Sequence, residues 1–176
     1  SGSPTVQATN TSFVTGTSST SHTVALPATV ASGDLLIVLF TGFRNAGTVA
    51  VDVDWTGTGF TEFFEDDASL GTQTFHLVLA GAYKKATGNE GGTSITVTTS
   101  LTCYSDHQSY SISGAEDPTT QAPQAATISY TDSAAGIDPP SLTPTGGAKD
   151  YLWLAVAGWR NTALSATTDP LNYTDA

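Results

Sequence analysis

A single cysteine, Cys103, occurs in the chain, so no disulfide can close within it. Stability must come from packing, and a chain of 176 residues can bury about two-thirds of its extended surface without a covalent staple. Alone, Cys103 reads as a small buried apolar residue. Basic residues are also scarce: five lysines and arginines stand against sixteen aspartates and glutamates, a net charge of −11. No cationic footprint is on offer, so nucleic acid and anionic membrane are not expected as partners. Long hydrophobic runs are missing too. The longest, Leu35 to Phe40 (LLIVLF), is far shorter than the roughly 20 residues a membrane-spanning helix needs. No methionine occurs, and the chain opens on Ser-Gly-Ser, which reads as a processed or appended start. No amphipathic helical period stands out anywhere.

Charged residues make up 12% of the chain, about half the usual share. Hydroxyls take their place, with 31 threonines and 18 serines. Threonine is β-branched and suits a strand face turned to water, so the hydroxyls are expected on the surface. Short apolar blocks are broken by Gly, Pro, Asn and Asp clusters, which is an all-β pattern. The spacing predicts strands at Thr11–Thr15, His22–Leu26, Asp34–Phe43, Val49–Trp55, Phe60–Phe64, Thr72–Lys84, Thr93–Thr99, Gln108–Ser113, Thr127–Tyr130, Tyr151–Trp159 and Leu171–Thr174. Thr93–Thr99 alternates cleanly, with Ile95 and Val97 on one side. Gly81, inside the apolar stretch Thr72–Lys84, marks a bulge or a close approach. Ala86–Gly92 (ATGNEGG) is a turn, and Asp117–Pro123 and Asp132–Pro144 read as long surface connections. No linker divides residues 1–176, so one domain is expected.

The chain repeats itself. DLLIVLFTGFRN at Asp34–Asn45 aligns without a gap on DYLWLAVAGWRN at Asp150–Asn161, and the only two arginines, Arg44 and Arg160, fall at equivalent places. Further on, GFTE at Gly59–Glu62 resembles NYTD at Asn172–Asp175. The repeat predicts a duplicated β unit. In each copy the aspartate caps the turn before the strand, the apolar block is a core strand, and the glycine permits a bend or a close neighbour. Phe43 and Trp159 would close the end of the core. Arg44 and Arg160, with Asn45 and Asn161, would emerge at the strand ends, against a local carboxylate or carbonyl or against a neighbouring acidic subunit. The second copy stops soon after its aromatic-Thr-acid segment, which raises the expectation of missing C-terminal strands or of strands borrowed from a neighbour.

The densest charge group gathers Asp52, Asp54, Glu62, Glu65, Asp66 and Asp67. Such carboxylates can hold calcium, and Asp52, Asp54, Glu65, Asp66 and Asp67 are the candidates. The spacing matches no calcium-binding loop, so a solvated acidic surface is the plain alternative, and no other cofactor is expected. Glu62 and Glu65 carry no sign of a glycosidase pair. His107 follows Cys103 in CYSDH, but only two zinc-type ligands are local there. His76 reads as a satisfied core residue. No G-x-S-x-G, P-loop or G-x-G-x-x-G occurs, so no catalytic residue is assigned and no enzyme is expected. Aromatics are the better lead to a ligand. Trp55 and Trp159 lie near loops and could stack on sugars, with core packing as the alternative. Asn10-Thr11-Ser12 and Asn172-Tyr173-Thr174 fit the N-glycosylation pattern.

SHTVALPATVASGDLLIVLF (residues 21–40), GAYKKATGNEGGTSITVTTS (81–100) and YSISGA (110–115) resemble a β-sandwich domain type of phage tail-fibre and capsid-decoration proteins and of environmental bacterial surface proteins. The resemblance spans residues 12 to 175 and carries no catalytic residue. It implies a jelly-roll-like antiparallel β-sandwich, here with the internal duplication. It also implies a structural or assembly role in a virion or extracellular surface structure, with copies of the chain or other surface proteins as partners. A carbohydrate-binding or adhesin module with glycan partners is the alternative.

Overall fold

The computed structural model describes residues 2–45, 47, 49–69, 75–126 and 140–158. Six strands form one antiparallel sheet: β1 (Thr5–Ala25), β2 (Leu35–Arg44), β3 (Val53–Asp54), β4 (Thr61–Ser69), β5 (His76–Lys85) and β6 (Ser94–Ser113). Their order is β1-β6-β2-β5-β4, with β3 paired to β6. The all-β expectation holds, and no helix occurs among the described residues.

The apolar run of β2 is explained by its place. It pairs on one edge with β5 and on the other with β6, and both of its faces are covered. Leu36, Val38 and Phe40 enter the main core with Val78, Ala80 and Ala82 of β5. Ile37 and Leu39 enter a second cluster on the opposite face with Ile112, Phe63, Phe64, Tyr83 and Tyr110. A strand buried on both sides needs no alternation.

Two pairs of expected short strands are in fact single long ones. Thr11–Thr15 and His22–Leu26 fall on β1, and Thr93–Thr99 and Gln108–Ser113 fall on β6. The polar stretches between them read as breaks, but they stay paired. The register slips between Val14 and Ser19 and slips back between Ser19 and Ser21. Val14 and Ser21 are seven residues apart, as are their partners Ser105 and Thr98, so the two bulges cancel and the ribbon bends without losing register. Past the bend the ribbon leaves β2, whose pairing with β6 covers only Tyr104 to Ile112. Val24 and Val97, from the ribbon's outer half, join Leu36, Val38 and Phe40 in the main core. The outer half therefore lies over the inner face of the sheet.

Odd-numbered residues of β6 point inward along the strand, apolar at Ile95 and Val97 but polar at Ser105, His107, Ser109 and Ser111. Thr96, Thr98 and Thr102 of the same strand keep the expected surface position, from which the hydroxyls of Ser105, Ser109 and Ser111 depart. The reason is that the chain leaving β1 crosses over them. Ser109 Oγ donates to the Ala25 carbonyl at 2.8 Å, Asn10 Nδ2 donates to the Leu26 carbonyl at 2.9 Å, and Ser111 Oγ donates to Asp34 at 2.7 Å. Asp34 also accepts the Ala31 N–H at 3.1 Å, the turn cap expected of it. Its repeat mate Asp150 instead accepts Ser3 Oγ at 2.6 Å. Asn10 spends its amide inside the fold, which disfavours glycosylation there.

β4 carries a bulge between Glu62 and Phe64. It turns Phe63 and Phe64 toward the outer cluster and sets Glu62, Glu65 and Asp67 opposite Ala82, Ala80 and Val78 of β5. A Cβ added at Gly81 would come within 2.3 Å of the Phe64 ring and 2.9 Å of the Phe63 ring. The expectation of a close approach at Gly81 holds.

The described part of the second repeat, residues 150–158, does not form the strand of the first. Residues 151–158 form no strand ladder. Leu154 and Val156 pack on the outer cluster, and a Cβ at Gly158 would meet the Thr41 methyl at 2.7 Å. These described residues of the second copy thus lie on the back of the first. At the matching glycine, Gly42, a Cβ would meet Val78 at 2.7 Å on the inner face. The expected strands Thr127–Tyr130 and Leu171–Thr174 lie outside the described residues.

Candidate functional site

The end of β2 carries the first Gly-aromatic-Arg-Asn copy. Phe43 is half-buried with its ring centroid 6.4 Å from that of Phe75. Arg44 is half-buried and folds back on its own loop, where a Cβ at Gly47 would stand 2.8 Å from Nη1. Asn45 is exposed. Trp159, Arg160 and Asn161 lie outside the described residues, so the pairing of the two arginines is not part of the described structure.

The acidic group does not gather into a metal site. Among the described residues no set of three or more potential ligands forms one. Two of the calcium candidates have backbone partners instead. Both Glu65 oxygens accept the Val53 N–H at 3.1 Å, and Asp67 accepts the Val51 N–H at 3.1 Å while its other oxygen lies 2.7 Å from His76 Nδ1. These carboxylates do for residues 51–53 what a neighbouring strand's carbonyls would do, which explains why the expected strand Val49–Trp55 shrinks to Val53–Asp54. Burial pushes the Glu65 carboxyl up to about 7, against the opposing Val53 N–H and with help from the charges of Glu62 and Asp52. Asp52, Asp54 and Asp66 are exposed. Beside them, Val53, Asp54, Trp55, Thr56, Gly57, Gly59, Phe60 and Glu62 line an open depression of about 430 Å³. Trp55 is only 6% exposed, so its ring is core and offers no stacking face, and its buried Nε1 has no acceptor among the described residues.

The most ordered polar constellation is one that sequence reasoning missed. It lies at the bend of the β1–β6 ribbon. Ser12 Oγ is 2.9 Å from His107 Nδ1, and His107 Nε2 is 2.8 Å from Ser105 Oγ. Ser105 Oγ is 2.7 Å from His22 Nδ1, and His22 Nε2 is 3.0 Å from Thr99 Oγ1. Both rings are buried, and Phe40 stacks on His107 at 5.0 Å between centroids and meets His22 edge-on at 5.1 Å. The proton positions follow from counting donors. Thr99 donates its hydroxyl to the Leu101 carbonyl at 2.9 Å, so it must accept from His22 Nε2–H. His22 Nδ1 is then bare and accepts from Ser105. Ser105 accepts from His107 Nε2–H, and His107 Nδ1 accepts from Ser12. Ser12 in turn accepts the Ala25 N–H at 3.0 Å. Every group is satisfied in one polarity, with both imidazoles neutral. Burial lowers both pKa values. For His107, burial is joined by the effect of His22 and the value is about 4, and for His22 the Ser19 backbone partly opposes the drop.

Cys103 sits at this chain's end, its Sγ 3.7 Å from His22 Nε2. Its nearest histidine partner is thus His22 and not the His107 of its own CYSDH segment. Burial pushes the thiol up, against the Thr99 hydroxyl and the charge of Arg44.

Exposed aromatics lie elsewhere, on strand faces. Phe13 is 66% and Tyr104 39% exposed. Phe13 pairs across the ladder with Asp106, two residues from Tyr104, so these three share the outer face. The second patch is Tyr151, Leu152 and Trp153, 36%, 37% and 45% exposed. Comparisons against protein-family models, curated proteins and solved structures each return no match.

Proposed function

We propose that the chain is an assembly module of a virion or extracellular surface structure, built as a jelly-roll-like β-sandwich with an internal duplication. It works by packing against copies of itself or against other proteins of that surface. The observation that carries this reading is the second repeat. Its twin, β2, is covered on both faces and paired on both edges. Residues 151–158 have the same sequence character, lie with one face on the sheet, and turn Tyr151, Leu152 and Trp153 to solvent. Three consecutive large exposed apolar residues suit a protein contact better than water. The acidic, hydroxyl-rich composition and the resemblance to virion domains point the same way. Light scattering across micromolar concentrations tests it: wild type associates, and Trp153→Asp with Leu152→Lys does not. A wild type that stays monomeric, alone and with its surface partners, ends the proposal.

A second reading, a carbohydrate-binding module, is favoured by one feature. Phe13 and Tyr104 flank Asp106 on an open sheet face, giving aromatic planes beside a hydrogen-bonding carboxylate. A glycan array in which Tyr104→Ala abolishes binding supports it, and an array without signal ends it. Calcium stays with this reading only if chelation changes the signal.

A further inference from the structure

We propose that the His22–Ser105–His107 chain is a proton-operated latch on the bend of the β1–β6 ribbon, so that taking up one proton releases the ribbon's outer half from the core face. The chain ties the two halves together. Ser12, Ser105 and His107 belong to the inner half, where β6 pairs with Val14 and the residues before it, whereas His22 and Thr99 belong to the outer half. The Ser105–His22 bond crosses the bend.

The donor count makes the latch sensitive to a single proton. If His107 is protonated, its Nδ1–H points at Ser12 Oγ, which already accepts the Ala25 N–H. The Ser12 proton then has no acceptor in the chain. If His22 is protonated, Ser105 receives N–H groups from both rings, and its own proton is stranded. Protonation of His107 thus leaves one buried hydroxyl proton without an acceptor and one positive charge in the core, whereas at His22 the hydrogen bond to the Ser19 backbone offsets part of that cost. The surroundings offer no counter-charge. β6 contributes Cys103, with a thiol raised by burial, and β2 contributes Phe40. Arg44 of β2 acts on Cys103 with positive charge. Among the described residues no carboxylate bonds either ring; Asp34, which accepts from Ser111 further along the same face, bonds neither.

The sign follows from linkage. A His107 released from the fold returns to about 6.5, whereas in place it sits near 4. Between those values the open form binds more protons, so acid favours opening.

Hydrogen exchange, corrected for intrinsic rates, tests the latch on the intact chain. From about pH 7.5 to about pH 4.5, opening at residues 21–25 and 94–99 is expected to rise on the order of fiftyfold, while β2 and β5 keep their protection. Unchanged ribbon protection, or an equal loss across all strands, overturns the proposal. Imidazole nitrogen NMR at neutral pH is expected to show both rings as Nε2–H, and an Nδ1–H form of either overturns the chain's polarity. His107→Gln is expected to cut the pH-driven rise to less than about tenfold. An undiminished rise in that variant counts against the latch, and should it fail to fold, the wild-type exchange decides.

Discussion

His22 and His107 lie on different strands with ring centroids 6.2 Å apart, and the hydroxyl of Ser105 joins them, 2.7 Å from Nδ1 of the first and 2.8 Å from Nε2 of the second. Removing that hydroxyl leaves two buried ring nitrogens without partners. Ser105→Ala is expected to cost about 2–4 kcal/mol in urea unfolding. Ser109→Ala, which loses one bond to the Ala25 carbonyl, is expected to cost about 1 kcal/mol. Equal costs for the two would show that Ser105 is no more than an ordinary core serine.

Glu65 bends the pH profile of the whole fold in the opposite sense to the histidines. Its carboxyl rises from 4.5 to about 7 on folding, so the folded form binds more protons in that window and stability falls as pH rises through it. Glu65→Gln keeps an acceptor for the Val53 N–H and removes the charge beside Glu62. It is expected to gain about 1–2 kcal/mol at about pH 8 and to flatten the slope between pH 4.5 and 7. Chemical unfolding at four or five pH values measures both effects, and a loss of stability at pH 8 would contradict the assignment.

Glu90 organises the turn after β5. Its carboxylate accepts the Thr87 and Gly88 N–H groups at 3.1 and 3.0 Å and pairs with Lys84 at 2.8 Å. Burial raises its pKa, but Lys84 and Thr87 outweigh that and hold it at about 2. Its contribution is therefore present above its ordinary value of 4.5 and is lost as pH falls toward 2. Glu90→Ala is expected to cost about 2–4 kcal/mol at neutral pH, read as a shift in thermal midpoint, and much less in strong acid.

Two glycines leave no room for a methyl: a Cβ at Gly81 would lie 2.3 Å from the Phe64 ring, and one at Gly42 would lie 2.7 Å from Val78. Gly81→Ala and Gly42→Ala are each expected to lose about 1–3 kcal/mol by overpacking. Gly16→Ala is the contrast: a Cβ there meets nothing within 4 Å, so its cost is the backbone strain of φ 87° alone. Thermal melts of the three variants compare them directly.

The strand class, the core placement of Leu35 to Phe40, the cap at Asp34 and the close approach at Gly81 were legible, because each rests on a local pattern or on one residue type. The latch was not. Ser105, His107, Ser109 and Ser111 alternate with Tyr104, Asp106, Gln108 and Tyr110, and period-two reading alone cannot say which polar face turns inward. The answer depends on the chain at Ala25 and Leu26 crossing above them, which is a long-range fact. Trp55 misled for the related reason that a tryptophan near a loop can still be core. The repeat was visible, but identical patterning did not secure identical placement, since the two faces of one strand can host different neighbours.

The pairing of Thr5 with Ser113 also sets the tempo of folding. The first strand meets a partner 108 residues further along, whereas Ser69 of β4 meets His76 of β5 seven residues away. The β4–β5 hairpin can close early, but β1 must wait for nearly all of the intervening chain to settle. Such long-range closure places folding in the slow, millisecond-to-second regime of β-rich domains. Until then Thr5–Ala25 is an unpaired segment, and its nearly charge-free sequence exposes the chain to aggregation during that interval.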